Sequence, residues 1–326
     1  MGSDSRIGFI TGDTVYGLLD VRTCIGLMRR ALTALASGQA RQMVRPVLPL
    51  AEPNVLGMMP AFDSAGQVAG VKVLTVFPGN YLKNVPSHQG AILVFETETG
   101  RLKAIVDAES VTAVRTAATS AAATDALARA DASTLAILGA GLQGRQHVHA
   151  IRLVRNLTSV TVWDLHSERA AQFAEEVANE TGLGVTAVAT AAEAAATADI
   201  ICTVTPSRTP IIDLADVSPG AHINAVGACT ADARELGSAL VAAGRLFVDW
   251  KPAALREAGD LLLAIQDGAI SEDHILGELG SVLSGEIPGR TDTQQITIFE
   301  ALGQATQDLL AADFVANALQ HGGSTS

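Results

Sequence analysis

Between Ser133 and Asp249 the chain alternates short runs rich in β-branched residues with alanine-rich helical stretches, and this alternation constrains the fold more than any other feature. The runs TLAILGA, SVTVWDL and ADIICTVT are almost entirely apolar, whereas SERAAQFAEEVANE, between the last two, has helical spacing. Strands separated by helices form parallel pairs, and strands that helices cover on both faces are apolar throughout. The pattern therefore predicts an α/β domain with a mostly parallel sheet.

The first 110 residues follow a different pattern, in which prolines separate the strand-like runs GVKVLTVF and AILVFE. Asp20 and Gly38 are placed to begin and end a helix over DVRTCIGLMRRALTALASG. A second long helix is predicted around AESVTAVRTAATSAAATDALARA. The last apolar segment has helical spacing at Ile298, Leu302 and Leu309, and its apolar stripe needs a surface such as the first domain. These features predict a separate α+β domain.

A glycine turn follows the first apolar run of the alternating region. The segment LAILGAGLQGRQH places Gly139, Gly141 and Gly144 in GxGxxG spacing, after a strand and before a helix. In that order the glycines allow a tight turn, close approach of a pyrophosphate and close helix packing, while the helix N-terminus stabilises the anion. We therefore predict a Rossmann-type dinucleotide site, to which Leu142 and Gln143 inside the turn contribute.

The end of the next strand suggests which dinucleotide binds. Asp164 lies 25 positions after Gly139, near the spacing at which a carboxylate binds the adenosine ribose. Because this carboxylate would repel a 2′-phosphate, NAD is favoured and NADP stays possible. Asp164 can alternatively cap the following helix, as can Ser167. We also assign Thr205 and Gly227, at the ends of the runs ADIICTVT and GAHINAVG, to the cofactor.

The charge balance and the cysteines argue against several kinds of partner. The formal net charge is −12, from 34 acidic and 22 basic residues, whereas nucleic-acid-binding proteins concentrate positive charge on one face. No run is long and apolar enough for a membrane span. The three cysteines form neither a CxxC pair nor an even-numbered framework, which is typical of a reducing compartment and gives no metal-site signature. We expect a cytoplasmic protein without nucleic-acid, membrane or metal partners.

Three cations in the first domain have unusual surroundings. Lys72 lies inside an apolar run, Arg115 lies among small helical residues, and Arg45 precedes a proline. A buried cation needs an anionic partner, so the three can converge on a small carboxylate, with arginine binding it through two hydrogen bonds. Alternatively, Lys72 protects a strand edge and the arginines are solvated surface charges.

The chain resembles the ornithine cyclodeaminase and mu-crystallin family over nearly its whole length. The segments that carry the likeness are, in order, MMPAF, VKVLTVFPGN, VPSHQGAILVFETETGRLKAIVDAESVTAVRTAATSA, LGAGLQG, INAVGA, AGDL and FEALGQATQD. The resemblance implies a discontinuous α+β domain for substrate binding and dimerisation, at 1–118 and 298–326, and a Rossmann-type domain at 119–297. It further implies a homodimer, a nicotinamide cofactor, and a small amino or imino acid whose carboxylate Arg45, Lys72 and Arg115 bind.

Members of this family catalyse several reactions that share one hydride transfer. Cyclodeaminases convert ornithine to proline and ammonia with bound NAD, and alanine dehydrogenase-type members stop at the oxo acid. Ketimine and pyrroline-2-carboxylate reductases add hydride to a cyclic C=N bond beside a carboxylate. A ligand-binding protein of the mu-crystallin kind would bind the dinucleotide without turnover.

The segment GACTAD bears on the choice between these reactions. In the cyclodeaminase pattern an aspartate binds the distal amine two residues after the strand-ending glycine, and this chain has Cys229 there. A thiol is mostly neutral at pH 7, so Cys229 is a poor substitute and is expected to line the substrate pocket. Asp232 can take the role if CTAD is a loop, or it can cap a helix over ARELGSAL.

A reductase must also protonate the product nitrogen. Lys72 is the first candidate, because two nearby arginines would lower its pKa toward neutrality. Glu257, in REAGDL, matches an acidic position of the mu-crystallin pattern and is the second candidate. The expected function is NAD(P)H-dependent reduction of a cyclic ketimine or 2-imino acid, of the pyrroline-2-carboxylate or piperideine-2-carboxylate type, to the L-amino acid. Ornithine cyclodeaminase and an alanine dehydrogenase-type enzyme are the alternatives.

Overall fold

The computed structural model describes residues 7–83 and 85–322, which form two compact units. The first unit extends to Arg115 and resumes at Gln304, and the second extends from Thr116 to Gly303. The boundaries therefore differ by a few residues from the expected 118/119 and 297/298.

The first unit is built on a seven-stranded sheet. Its strands are β1 (Phe9–Ile10), β2 (Ala40–Gln42), β3 (Val47–Pro49), β4 (Val55–Asp63), β5 (Val68–Val76), β6 (His88–Glu96) and β7 (Leu102–Asp107). They lie in the order β1-β7-β6-β5-β4-β2, with β3 also paired to β4. All pairs are antiparallel except β1 with β7. The predicted α+β character of this part of the chain is confirmed.

Helices complete the first unit. They are α1 (Gly12–Leu18), α2 (Val21–Ala36), a 3-10 helix at Pro78–Lys83, the start of α3 (Ala108–Leu127) and the last helix, α11 (Ala305–Gly322). The predicted limits of α2 are confirmed: the Asp20 carboxylate accepts a hydrogen bond from Thr23 N, and Gly38 has a φ of +75° just beyond the helix.

The structure partly corrects the prediction for the C-terminal segment. Residues Thr297–Glu300 form a strand of the second unit, so the prediction that the helix includes Ile298 is wrong. A short apolar run such as ITIFE fits a buried strand as well as a helix, and periodicity alone does not separate the two. The helix begins at Ala305, and it packs on α2, β4 and β5 as the expected surface for its apolar stripe.

The second unit contains an eight-stranded sheet in which every pair is parallel. Its strands are β8 (Thr134–Leu138), β9 (Ser159–Trp163), β10 (Gly184–Ala187), β11 (Ile200–Thr203), β12 (His222–Ala225), β13 (Arg245–Val248), β14 (Ile275–Glu278) and β15 (Thr297–Glu300). The order is β10-β9-β8-β11-β12-β15-β13-β14. The first five strands reproduce the doubly wound order 3-2-1-4-5, whose direction reverses between β8 and β11.

Helices alternate with these strands. They are α4 (Leu142–Ile151), α5 (Ser167–Thr181), α6 (Ala191–Ala195), α7 (Ser238–Ala243), α8 (Lys251–Glu257), α9 (Gly259–Gln266) and α10 (Leu279–Leu283), with 3-10 helices at Leu214–Asp216 and Glu272–His274. Strands β11, β12 and β15 are buried at every position, as expected for strands covered on both faces. The predicted Rossmann-type parallel sheet is confirmed. Among the described helices, none is long and apolar enough to cross a membrane.

Gly70 on β5 tests how closely α11 packs on the sheet. A Cβ atom there would lie 2.6 Å from both Leu309 Cδ1 and the backbone oxygen of Leu93. We expect Gly70→Ala to lower the free energy of unfolding by about 1–3 kcal/mol through overpacking. Gly26→Ala on α2 is the matched control, because its Cβ would meet nothing within 4 Å. The control should be neutral or stabilising by up to about 1 kcal/mol in denaturant unfolding, and equal effects of both variants would contradict the packing.

Candidate active site: a glycine turn and a buried cation cluster

The glycine turn after β8 has the geometry of a phosphate-binding turn. Gly139 has a φ of +118°, and a Cβ atom on it would lie 2.9 Å from the backbone oxygen of Val204. A Cβ on Gly144 would collide with the backbone oxygen of Gly139 and lie 2.9 Å from Ile137 Cγ2. Glycine is therefore required at both positions, once for the turn and once for the packing of α4 against β8.

The residues present fit a dinucleotide at this turn. Helix α4 begins at Leu142 after Gly141, which offers no side chain to cap it, so its first backbone N–H groups face the turn. The Gln143 side-chain oxygen is buried and accepts no hydrogen bond from any described residue. An N-terminus without a cap and a buried, unpaired acceptor are both suited to contacts with a bound ligand.

Asp164 is held in contact with the glycine turn. It follows β9, and its carboxylate accepts hydrogen bonds from Ala140 N and His166 N, each at 2.9 Å. The alternative role of Asp164 as a helix cap is wrong, because α5 begins at Ser167 with His166 as the N-cap residue. Its carboxylate lies at the carboxyl edge of the sheet, where ligands of doubly wound folds bind.

The loops after β11 and β12 also lie at this edge and approach each other closely. Thr205 N and Oγ1 donate hydrogen bonds of 2.6 Å and 2.7 Å to the Glu235 carboxylate, and Gly227 N donates one of 2.8 Å. A Cβ on Gly227 would collide with the backbone oxygen of Thr205. Gly227 is thus a glycine because two loops meet at its α carbon.

Lys72 lies in the middle of the first unit's sheet. Its strand, β5, has β4 on one side and β6 on the other, so the alternative that Lys72 protects a sheet edge is wrong. The side chain is 4% exposed; Nζ donates to Thr112 Oγ1 at 2.7 Å and lies 3.3 Å from both Asp308 oxygens. Burial lowers the pKa of Lys72 to about 8, with Arg115 and Arg45 acting in the same direction and Asp308 opposing them.

Arg115 shares the same buried carboxylate. Its Nε donates to Asp308 Oδ1 at 2.9 Å, and both side chains are almost fully buried, so Arg115 is not a solvated surface charge. Burial raises the pKa of Asp308, but the charges and hydrogen bonds of Arg115 and Lys72 outweigh burial and hold that pKa below its ordinary value. Asp308 is therefore an anion between two buried cations.

The three cations face one region of the first unit. Desolvation lowers the pKa of His88, and the positive charges of Lys72, Arg45 and Arg115 lower it further. Lys72 and His88 line the same small recess, together with Glu109. The convergence of these charges produces a local excess of positive charge in a chain that is acidic as a whole.

The family model that matches residues 9–323 is the ornithine cyclodeaminase/mu-crystallin family. The chain belongs to this family. It is 39% identical to the ketimine reductase mu-crystallin of Mus musculus over 85% of each chain. It is 33% identical to a Delta(1)-pyrroline-2-carboxylate reductase of Bacillus cereus over 91% of this chain and 92% of that one.

A solved structure shares the fold over nearly the whole chain. The Delta(1)-pyrroline-2-carboxylate reductase of Thermococcus litoralis, determined in complex with NADH and L-proline, superposes with a TM-score of 0.93. It covers 96% of this chain and 98% of its own chain at 33% sequence identity. That neighbour contains NADH, and the glycine turn found here has the geometry of a dinucleotide-binding turn.

Cys229 is the residue that the sequence predicts to line the substrate pocket. It lies on the loop after β12, is half-buried, and its thiol donates to the backbone oxygen of Val226 at 3.2 Å.

Asp232 is not a helix cap. Asp232 lies in a turn, residues 233–237 belong to no helix, and α7 begins only at Ser238, after Gly237 as N-cap. Its carboxylate is 64% exposed and forms an ion pair with Arg208, which is 72% exposed. A hydrogen bond from Thr230 and the Arg208 partner lower its pKa. Asp232 is an anion with a cationic partner at the surface of the second unit.

Glu257, the second predicted proton donor, is half-buried at the end of α8. It lies in the second unit, whereas Lys72 lies in the first. The structure therefore places the two candidate proton donors on different units of the chain.

Two acidic residues that matter to these sites were not predicted. Asp308 ends the segment FEALGQATQD, and Glu235 lies in ARELG. The sequence indicates that a buried Lys72 needs an anionic partner. It does not indicate which residue that is, because Asp308 lies 236 positions away. Nothing local distinguishes Asp308 or Glu235 from the other acidic residues of the chain.

The position of Asp164 gives a prediction about cofactor preference. We expect the wild-type protein to bind NADH more tightly than NADPH, and Asp164→Asn to reduce the ratio of the two dissociation constants about tenfold, because a charge that repels the 2′-phosphate is removed. Fluorescence titration with each nucleotide measures this ratio. Glu175→Gln, which removes an exposed charge from α5, is the control and should leave it unchanged. An unaltered ratio in Asp164→Asn would contradict the assignment.

Proposed function

We propose that the protein reduces the C=N bond of a cyclic ketimine or 2-imino acid to the L-amino acid with NADH. The substrate class is that of pyrroline-2-carboxylate and piperideine-2-carboxylate. The observation that carries this proposal is Cys229, which replaces the anion that a cyclodeaminase uses for the distal amine of ornithine. A cyclic imine has a carboxylate to bind and no distal ammonium, which suits a neutral group at this position.

The substrate carboxylate is bound by Arg115, Lys72 and Arg45 in this proposal. Three cations act on one another here against two carboxylates, those of Asp308 and of Glu109 in the recess, so one further anion is favourable. Arginine offers two parallel N–H donors to a carboxylate, and lysine adds a compact charge. The recess therefore supports recognition of a carboxylate in any substrate of the family.

Bound NADH supplies the hydride that adds to the imine carbon. The imine nitrogen takes one proton, so that hydride and proton together convert the C=N bond to CH–NH. Lys72 is the first proton donor in this scheme, because a pKa of about 8 makes its protonated and neutral forms both accessible near neutrality. Glu257 on α8 is the second.

The decisive experiment measures NADH oxidation with pyrroline-2-carboxylate and with piperideine-2-carboxylate. Two parallel assays measure the formation of proline and ammonia from ornithine with NAD, and NADH oxidation with pyruvate and ammonia. We expect rapid NADH loss with at least one cyclic imine and formation of the L-amino acid. Proline and ammonia from ornithine without net cofactor change would establish the cyclodeaminase reaction and a role for Asp232. Fast turnover of pyruvate with ammonia would establish the dehydrogenase, and tight NADH binding without turnover would establish a binding protein.

Asp308 gives a prediction about pH dependence. Loss of the Lys72 charge as pH rises through about 8 should produce a basic limb in kcat/KM, because the free enzyme then binds the substrate carboxylate less well. Asp308 raises the pKa of Lys72, so Asp308→Asn should move this limb to lower pH by about one unit. The substrate's own titration is identical for both proteins and therefore does not contribute to the difference.

Asp313→Asn is the matched control for this experiment. Asp313 also lies on α11 and accepts an ion-pair hydrogen bond from Lys103 at 2.6 Å. Loss of this ion pair should destabilise the same helix without moving the pH profile of kcat/KM. Equal shifts in the two variants, or no shift in Asp308→Asn, would contradict the assigned role of Asp308.

The family resemblance also supports a homodimer, which sedimentation of the purified protein would test. We further propose a cytoplasmic location. Cys24 and Cys202 are buried free thiols, and free thiols rather than disulfides are typical of a reducing compartment.

A further inference from the structure

Glu235 is a fully buried carboxylate that is not part of any helix or strand. Its two oxygens accept three hydrogen bonds, from Thr205 N, Thr205 Oγ1 and Gly227 N. Strands β11 and β12 end at Thr203 and Ala225, so these backbone N–H groups lie beyond the sheet. One side chain therefore satisfies donors from two different loops at the carboxyl edge.

The two loops belong to the half of the sheet that binds the second nucleotide of a dinucleotide. In a doubly wound sheet the first turn binds the pyrophosphate, and the strands beyond the point of reversal face the other mononucleotide. That point lies between β8 and β11. The Thr205 loop also adjoins the glycine turn, because a Cβ on Gly139 would lie 3.1 Å from Thr205 Cγ2. The turn and the two loops thus form one continuous surface.

Glu235 is itself held in place by the start of helix α9. Asp260 Oδ1 accepts hydrogen bonds from Glu235 N at 2.8 Å and Leu236 N at 2.7 Å. A Cβ on Gly259 would collide with the backbone oxygen of Ala233, so the helix start and the segment 233–236 are in direct contact. The Glu235 carboxylate therefore has little freedom to move away from the loops.

The surroundings of Glu235 are costly for stability. Burial and, after it, the charge of Glu235 raise the pKa of Asp260 to about 7. Burial, followed by Asp260, Asp249 and Glu235, raises the pKa of Glu300 well above its ordinary value. Asp260 Oδ2 and Glu300 Oε2 are buried without a hydrogen-bond partner among the described residues. A cluster of buried acids opposes folding, so a role in stability alone does not account for Glu235.

We propose that Glu235 is a positioning residue of the cofactor site, whose carboxylate joins the loops after β11 and β12 and so fixes the surface that binds the nicotinamide half of the dinucleotide. The expected effect of Glu235 on kcat rests on the proposed function, whereas its expected effect on NADH binding does not. Glu235 acts through Thr205 and Gly227 and does not touch the substrate.

The test compares Glu235→Gln with Asp199→Asn. Asp199 is the matched control, since its carboxylate also accepts hydrogen bonds from two backbone N–H groups, Ser133 N and Thr134 N, but at the amino ends of β8 and β11. Fluorescence titration measures the dissociation constant for NADH, and calorimetry measures the melting temperature. The value of kcat is measured with NADH and with 4-deuterated NADH, and the ratio of the two gives the deuterium isotope effect. Thr205→Val removes the hydroxyl that donates to Glu235, and it replaces Glu235→Gln in the test if that variant does not fold. Thr205→Ser, which keeps the hydroxyl, is the conservative variant.

We expect Glu235→Gln to weaken NADH binding about tenfold and to lower kcat with a larger isotope effect, because hydride transfer becomes slower. Its melting temperature should stay near that of the wild type, because one buried charge is removed together with the hydrogen bonds to only one of the two oxygens. Asp199→Asn should lower the melting temperature and leave NADH binding unchanged. Thr205→Val should weaken NADH binding less than Glu235→Gln, and Thr205→Ser should restore it.

Unchanged NADH affinity in Glu235→Gln, or equal losses in Glu235→Gln and Asp199→Asn, would overturn the proposal and leave Glu235 a purely structural residue. If Glu235→Gln does not fold, unchanged NADH affinity in Thr205→Val overturns it equally. If the wild type reduces no cyclic imine, the proposed function fails, and the NADH titrations still decide the positioning role. The two inferences are therefore separated by different measurements.

Discussion

The buried carboxylate of Asp308 is the interaction on which the first unit depends. Lys72 on β5 and Arg115 on α3 are both removed from water, and each would strongly oppose folding without an anion beside it. Asp308 comes from the last helix of the chain, so neutralising these cations requires the C-terminal segment to return to a sheet made by the first 110 residues. The same arrangement leaves the cluster positive, which is the condition for binding one more carboxylate.

The second unit uses a buried carboxylate in a comparable way. Glu235 accepts hydrogen bonds from backbone groups that the sheet leaves unpaired, whereas Asp308 neutralises side-chain cations. In both units an acidic side chain without contact to solvent determines where the binding groups lie. The residues expected to touch ligands, such as Thr205 and Lys72, depend on these anions for their positions, which is how rigid sites are built from flexible side chains.

The parts of the fold that follow local rules were predictable from the sequence. The glycine turn, the parallel strands and the limits of helix α2 are encoded within a few residues, in Gly139 or Asp20 for example. The strand that contains Ile298 was not, because a four-residue apolar run carries no distinguishing period and its partners come from elsewhere in the sheet. Asp308 and Glu235 were not predicted either, because only the tertiary fold shows which acidic side chains face buried donors.

Cys229 and Asp232 show how one fold supports several reactions. The proposed function assigns the substrate carboxylate to cations of the first unit. The loop after β12, in the second unit, carries Cys229 and Asp232. In that loop the thiol of Cys229 is satisfied by a backbone oxygen, and the charge of Asp232 is balanced by Arg208. Under the proposed function, an ammonium beside these two residues would find a thiol and an aspartate that Arg208 already neutralises. Discrimination against ornithine would then need one changed side chain, with the hydride chemistry and carboxylate recognition kept the same.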